Sequence, residues 1–268
     1  MIDWMNIDDL FCEEHKSINL LEYSREISLL KDLISLANEY ISEYECENVF
    51  TFEGVCSLFV RSVIQYAKSA YDNFLIGHFD VAYMLCRNMV ENNVCLEVLT
   101  EFESEELWKY YLAYSFRHTW RLNPNSEYSK CLERQFEEIC NSLSIEKQFF
   151  TDRNDDGRFL KPFIDENYGW TYKVNKKFSF SGLCQLLKTR RYKDFKFMSE
   201  FSHGTSLIQK MDDGNYVERV VGIMTSIYME LRIALIEYCP WELPDDFYDL
   251  EQEMGGLLIK IIEDFEGS

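Results

Sequence analysis

The sequence contains little proline and glycine, the two residues that most often interrupt helices. Only 4 prolines and 11 glycines occur among its 268 residues. Pro124, Pro240 and Pro244 lie where helical hydrophobic patterns begin or end. Long periodic apolar segments with so few interruptions predict an all-α protein. Intrinsic disorder is excluded as a description of the whole chain, because 47% of its residues are hydrophobic and 16% are aromatic.

Long hydrophobic runs are also missing. No stretch of about twenty uninterrupted apolar residues occurs, so the sequence predicts no membrane-spanning helix and no membrane partner. The acidic first residues lack the pattern of a secretory signal peptide. None of the nine cysteines forms a Cys-x-x-Cys pair, so we expect reduced, buried thiols rather than disulfides or a zinc site. Together these features predict a cytoplasmic protein.

Several motifs that mark cofactor-dependent enzymes do not occur. The chain has no Gly-rich phosphate loop, no Gly-x-Ser-x-Gly elbow and no His-Glu-x-x-His helix. We therefore predict no cofactor and no metal. Glu200 and His203 do form one Glu-x-x-His pair, but di-iron bundles need a second such pair, which is missing. A metal-binding bundle that uses Glu200 and His203 is a remote alternative.

Positive charge is scarce and unevenly distributed. The net charge is −20 at pH 7, which opposes nonspecific binding to nucleic acid over a large surface. The segment 158–196, however, holds ten basic and three acidic residues and carries a net +7, which leaves −27 for the rest of the chain. This segment predicts a local anion site, for which RNA or a nucleotide is a candidate ligand. Neutralisation of acidic helices, in this molecule or in a protein partner, is the competing explanation.

Apolar residues at helical spacing predict a bundle of about eight or nine helices. The central helix, 79–100, is apolar around most of its circumference. We expect three parts: an N-terminal helical segment over 1–50, a bundle core over 51–240 and a C-terminal amphipathic helix within 241–268. One long irregular connection is expected near 151–180. The predicted helices cover residues 18–45, 52–76, 79–100, 104–122, 126–148 with Ser126 as N-cap, 181–188, 190–207, 216–238 and 245–265.

A narrow polar stripe interrupts the central helix. Arg87 and Glu91 are four residues apart, so they lie on one face about 40° from each other. Asn88 and Asn92 border the pair. Such a stripe either faces water or lines an internal pocket.

A second polar group lies in the helix predicted at 190–207. Lys196, Ser199, Glu200 and His203 recur at i, i+3, i+4 and i+7 and therefore share a face. Histidine can exchange a proton near neutral pH, and a nearby lysine can stabilise negative charge on a phosphate. The alternative is a structural histidine that donates to a backbone carbonyl before Gly204.

These motifs resemble those of a bacterial helical family with no assigned function, in which an Arg-x-x-x-Glu helix precedes a Tyr…Ser-x-x-x-His-small helix. The similarity covers about 60–240. That family in turn resembles the HEPN class (higher eukaryotes and prokaryotes nucleotide-binding), whose members are helical bundles, often dimeric. The residues that carry it are Arg87, Glu91, Trp170, Tyr192, Ser199, Glu200, Phe201, Ser202, His203 and Gly204.

The resemblance implies an RNA- or nucleotide-directed homodimer, with metal-independent ribonuclease activity in phage defence or toxin–antitoxin biology. His203, Arg87 and Glu91 would be catalytic. Substrate binding would involve Lys196, Arg190, Arg191, Ser199 and Asn88. One departure from the HEPN nuclease pattern is clear, because no arginine precedes any of the four histidines at the expected spacing. The alternative is a non-catalytic acidic interaction module in which Arg87, Glu91 and His203 form a structural network.

Overall fold

A computed structural model describes residues 22–43, 50–101, 107–122, 126–142, 180–181, 184, 187, 189, 191–202, 216–239 and 242–266. Across these residues the chain is all-α, with no strand. The described helices are α1 (Ser24–Glu43), α2 (Phe52–Leu75), α3 (Phe79–Glu101), α4 (Leu107–Leu122), α5 (Glu127–Ser142), α6 (Arg191–Ser202), α7 (Tyr216–Arg232) and α8 (Asp245–Glu266). A π-helical turn, Ile233–Glu237, directly follows α7.

The chain forms two compact units, and each of the helices α2, α3 and α6 contains residues of both units. Unit 1 falls within Met1–Glu45, Val60–Val90 and Asp194–Ser268, and unit 2 within Cys46–Phe59 and Glu91–Lys193. The three-part division expected from the sequence stays a prediction. The 151–180 connection expected to be irregular lies outside the described residues, except for Phe180.

Unit 1 is built from α1, α7, α8 and parts of α2, α3 and α6. Helix α8 packs along α1, and α7 contacts both. Buried apolar side chains recur every three or four residues along these helices, which is the pattern expected of faces that pack on a common core. The buried residues of this core include Leu30, Leu33, Val63, Ala67, Phe74, Ala82, Met89, Met198, Ile223, Ile227, Phe247 and Met254.

Local sequence signals explain how the first long hairpin of unit 1 is formed. Gly77 ends α2 with a φ of 76°, a left-handed conformation that glycine adopts at little cost. Its N–H donates to the Phe74 carbonyl at 3.0 Å, and the His78 N–H donates to the Asn73 carbonyl at 2.8 Å. This is a Schellman motif, which reverses the chain into α3. The predicted end of the second helix near Gly77 is confirmed.

The end of α7 differs from the single helix expected over 216–238. The α-helix ends at Arg232 and the next five residues form the π-helical turn. In this wider turn the consecutive residues Ala234 and Leu235 are both buried. A π-turn shifts the register of the apolar face by a fraction of a turn. Sequence periodicity does not resolve such a shift.

Unit 2 contains α4 and α5, which pack against each other as an antiparallel pair. Ser126 caps α5, because its Oγ accepts a hydrogen bond from the Ser129 N–H at 3.0 Å. The N-cap predicted at Ser126 is confirmed. Phe59 contributes to the core of the unit through a ring contact with Tyr111, whose centroid is 4.8 Å away.

Candidate functional site

Arg87 is the predicted site residue whose surroundings are best defined. It lies on α3, half-buried, in a stretch where Cys86, Met89 and Val90 are completely buried. Its guanidinium carbon is 4.5 Å from the centroid of the Phe195 ring on α6. This is a cation–π contact within unit 1, and it fixes the position of the guanidinium group relative to α6.

A second aromatic contact joins the same two helices in unit 1. The rings of Tyr83 and Phe197 are perpendicular, with centroids 5.8 Å apart. Tyr83 is four residues before Arg87, so the two side chains share a face of α3. The paired contacts of Tyr83 with Phe197 and of Arg87 with Phe195 therefore hold α6 against this face.

Tyr83 also connects this face to α7. Its hydroxyl donates to the Arg219 carbonyl at 3.4 Å. Burial raises the pKa of this hydroxyl above its ordinary value, so the group stays protonated and remains a donor at neutral pH. Gly222 makes the approach possible, because a Cβ atom there would lie 2.7 Å from the Tyr83 oxygen.

One turn before Tyr83 on the same face of α3, Asp80 forms an ion pair with Arg219. Asp80 Oδ1 lies 3.8 Å from Arg219 Nη2, and both side chains are largely buried. Asp80, Tyr83 and Arg87 follow at i, i+3 and i+7, which places all three on one side of α3. That spacing is the signal in the sequence that links Asp80 and Tyr83, two residues that were not predicted, to Arg87.

Helix α6 carries two further predicted residues of unit 1. Lys196 is exposed, whereas Ser199 is half-buried and donates its hydroxyl to the Phe195 carbonyl at 2.7 Å. Ser199 is therefore engaged with the backbone of its own helix. The side chain of Glu200 and the whole of His203 lie outside the described residues. The structure thus brings Arg87 to the helix that precedes His203 in the sequence.

Glu230 is a functional candidate that the sequence analysis missed. It lies on α7 with 6% of its surface exposed. Among the residues described, it is the one charged residue that is buried. The pKa of Cys86 is raised by burial and further raised by the negative charge of Glu230, which indicates that the two side chains are near each other in unit 1. Its spacing from Ile223 and Ile227 on the apolar face could have revealed this burial.

The polar stripe of α3 continues into unit 2. Glu91 and Asn92 are half-buried there, as Arg87 and Asn88 are in unit 1. Burial raises the pKa of Cys95, and the negative charge of Glu91 raises it further, to about 12. The Cys95 thiol is therefore protonated at neutral pH and is a poor nucleophile.

Arg191 forms the polar contact of unit 2 that involves the basic segment. Its Nε lies 4.0 Å from Glu97 Oε2, and the two side chains are 13% and 23% exposed. Burial and then the charge of Glu97 raise the pKa of Cys184 to about 11, while the Arg191 charge acts in the opposite direction. One cation of the segment is thus paired with an acidic helix of the same unit.

The predicted site residues fall in different parts of the chain. Arg87, Asn88, Lys196 and Ser199 belong to unit 1, and Glu91 and Arg191 to unit 2. Arg190 and His203 lie outside the described residues, as does most of the 158–196 segment.

Neither a metal site nor a membrane-spanning helix is found among the residues that the structure describes. In that part of the chain, no three His, Cys, Asp or Glu side chains are grouped closely enough to hold a metal ion. No described helix has the length and apolar character needed to cross a membrane. No disulfide joins the cysteines that the structure describes.

Comparison with known proteins identifies one match, which covers more than half of the chain. Residues 53–216 match the model of a family of unknown function, DUF5677. The matched range includes α3 with Arg87 and the complete α6. No curated protein and no solved structure matches the chain. The chain therefore belongs to the DUF5677 family, a family of unknown function.

Proposed function

We propose that this chain is a HEPN-like protein that acts on RNA or a nucleotide, and that it cleaves RNA without a metal ion. The observation that supports this proposal is the position of Arg87, whose guanidinium lies over Phe195 of α6. Helix α6 directly precedes His203 in the sequence. Arg87 of the first motif thus contacts the helix that holds Tyr192 and Ser199 of the second.

The chemistry of the Arg87 contact is suited to holding a phosphate. A cation–π contact uses the face of the guanidinium group, whereas its N–H donors lie in the plane and can bind two oxygens of one phosphate. Because Arg87 is half-buried, its charge is screened less than that of a fully exposed arginine. Arg87 is therefore assigned the phosphate-binding role, with Lys196 as an additional cation.

In the proposed reaction, His203 acts as general base and then as general acid. It accepts the proton of the RNA 2′-hydroxyl, whose oxygen forms a bond with the adjacent phosphorus. The bond from phosphorus to the 5′-oxygen breaks, and a proton returns to that oxygen. Arg87 stabilises the negative charge that develops on the phosphate.

The biological setting is proposed from the same resemblance. The protein would act as a homodimer in the bacterial cytoplasm, as an effector of phage defence or of a toxin–antitoxin pair. The net +7 of the 158–196 segment is the feature that would attract an anionic substrate to an otherwise acidic molecule.

The decisive test uses purified protein, unstructured RNA and the variants His203→Ala, Arg87→Ala and Arg87→Lys. We expect His203→Ala to lower the cleavage rate by about 10²–10⁴-fold. Arg87→Lys should restore only part of the loss caused by Arg87→Ala, because lysine cannot bind a phosphate through two donors. Cleavage should persist in a metal chelator. Cleavage that survives His203→Ala, or that stops with the chelator, would disprove the proposal.

A non-catalytic interaction module is the second candidate, and the Arg191–Glu97 pair favours it. In that pair a cation of the basic segment already neutralises an acidic side chain of its own unit. On this interpretation, Arg87 and His203 are structural and the wild-type protein leaves RNA intact. His203→Ala should then lower the free energy of unfolding by about 1–3 kcal/mol, because its hydrogen-bond partners would be left unsatisfied.

A further inference from the structure

We propose that Phe197 and Lys196 of α6 form a contact site for an unpaired nucleotide, so that the RNA substrate is single-stranded. This inference depends on the proposed RNA-directed function and identifies the class of its substrate. Three described side chains of unit 1 support the proposal. They are the exposed ring of Phe197, the buried Tyr83 that positions this ring and the adjacent Lys196.

Phe197 contacts the buried ring of Tyr83 and yet keeps 49% of its surface exposed. A large apolar side chain in water costs free energy that burial in the core would recover. An exposed ring beside a cation is the arrangement on which nucleic-acid bases stack, since every base has a π-face. Lys196, the preceding residue, is exposed as well.

The Phe197 ring is held in place before any ligand arrives. It contacts Tyr83, which is only 2% exposed and donates to the backbone of α7. An aromatic side chain that is already ordered loses little conformational entropy when a base stacks on it. The buried Tyr83 thus makes Phe197 a rigid platform rather than a mobile surface group.

The charges around this ring suit a short nucleic-acid segment. Successive residues are 100° apart around a helix, so Lys196 projects between Phe195 and Phe197. Arg87 lies over the ring of Phe195, on the side of α6 that contacts α3. Asp194, three residues before Phe197, is exposed. Lys196 can bind one phosphate beside the ring, while the net −20 of the chain opposes contact with a long backbone.

Stacking on Phe197 also selects against duplex RNA. In a duplex both faces of each internal base are covered by neighbouring base pairs, whereas bases in single strands, loops and ends can open onto an aromatic side chain. The geometry of α6 therefore favours an unpaired stretch of RNA as the substrate.

The test measures binding of a fluorescent single strand of 2′-O-methyl RNA by anisotropy, with the matching duplex in parallel. The methyl group blocks attack by the 2′-oxygen, so binding is observed without cleavage. We expect the single strand to bind at least tenfold more tightly than the duplex. Phe197→Ala should weaken single-strand binding by about 5- to 150-fold, which corresponds to one lost stack of about 1–3 kcal/mol.

Matched variants separate stacking from folding and from charge. Phe197→Trp should retain tight binding because it preserves the π-face, whereas Phe197→Leu preserves apolar area and should bind weakly. Tyr248→Ala removes an aromatic ring of α8 that is 39% exposed and should bind as wild type does. Lys196→Ala should reduce the salt dependence of binding by about one phosphate contact. Thermal unfolding of each variant verifies that the fold is retained.

The outcomes distinguish this inference from the proposed function. Equal binding by wild type and folded Phe197→Ala, equal affinity for duplex and single strand, or no binding at all would each overturn the inference. If unmodified RNA is cleaved in a His203-dependent manner but kcat/KM is unchanged in Phe197→Ala, the inference fails and the proposed function stands. If binding depends on Phe197 but unmodified RNA stays intact, the inference stands and the proposed cleavage fails.

Discussion

Replacing Gly255 of α8 by alanine should test the packing between α7 and α8 directly. A Cβ atom at position 255 would lie 2.6 Å from the Tyr228 hydroxyl oxygen, closer than such atoms approach each other. That hydroxyl donates to Glu251 Oε1 at 2.6 Å, and Arg232 Nε donates to the same oxygen at 2.8 Å. The new methyl group would therefore push Tyr228 away from its charged partner.

The magnitude follows from two opposing contributions. Alanine in a helix interior is more favourable than glycine by about 1 kcal/mol. A hydrogen bond to a charged group contributes about 1.5–3 kcal/mol, and displacing the buried Tyr228 side chain loses much of it. We expect a net loss of about 1 kcal/mol in the free energy of unfolding for Gly255→Ala.

The neighbouring glycine is a matched control for this substitution. A Cβ atom at Gly256 would meet nothing within 4 Å, so Gly256→Ala should stabilise the protein by up to about 1 kcal/mol. Urea unfolding followed by circular dichroism measures both variants. The two substitutions are chemically identical and one residue apart in the same helix, so the difference of about 2 kcal/mol isolates the contact with Tyr228.

The same substitution in a Tyr228→Phe variant tests whether the Tyr228 hydroxyl causes the loss of stability. In Tyr228→Phe the hydroxyl is removed, so adding Gly255→Ala should no longer destabilise the chain and should have the effect seen at Gly256. If Gly255→Ala and Gly256→Ala are equally stable in the wild-type background, the close approach of α7 and α8 is wrong. If the penalty persists in Tyr228→Phe, the hydroxyl is not its cause.

Two further predictions concern unit 2. Ser126→Ala should lower the free energy of unfolding by about 1 kcal/mol because the N–H of Ser129 loses its cap, and Ser126→Asp should retain most of that stability in the same urea assay. Burial, aided by the charge of Glu53, raises the pKa of Cys56 from 9.0 to about 12. Its contribution to stability is therefore complete below pH 9 and is lost as the pH rises towards 12. The stability of wild type relative to Cys56→Ala should fall by about 1.4 kcal/mol between about pH 8 and pH 10, and a constant difference would show that this thiol is not buried.

The helices of this protein were largely predictable because their signals are local. Gly77 ends α2 and Ser126 begins α5, as their residue types indicate, and both act through hydrogen bonds within a few residues. The apolar periodicity placed α3 and α8 within one residue of their observed ends. Such features depend on backbone geometry and on neighbours in sequence, which a single sequence contains.

The partners of the site residues were not predictable for the opposite reason. Arg87 stays a predicted site residue. Its contact with Phe195 joins residues more than one hundred positions apart, and no spacing rule encodes that choice. Phe197 of α6 contacts a buried ring and is nevertheless half-exposed, which the sequence of the helix does not indicate. Glu230 is a charged residue that is buried on the apolar face of α7. Tertiary packing, rather than helical propensity, decides all three.

The close approach of Tyr83 to Gly222 has a consequence for how this protein can vary over evolution. A methyl group at position 222 and a hydroxyl at position 83 would compete for the same space, since they would be 2.7 Å apart. We expect relatives with alanine or serine at 222 to have phenylalanine or a smaller residue at 83, so that the two sites change together. Such paired substitutions in natural sequences would report the contact between α3 and α7 independently of any coordinates.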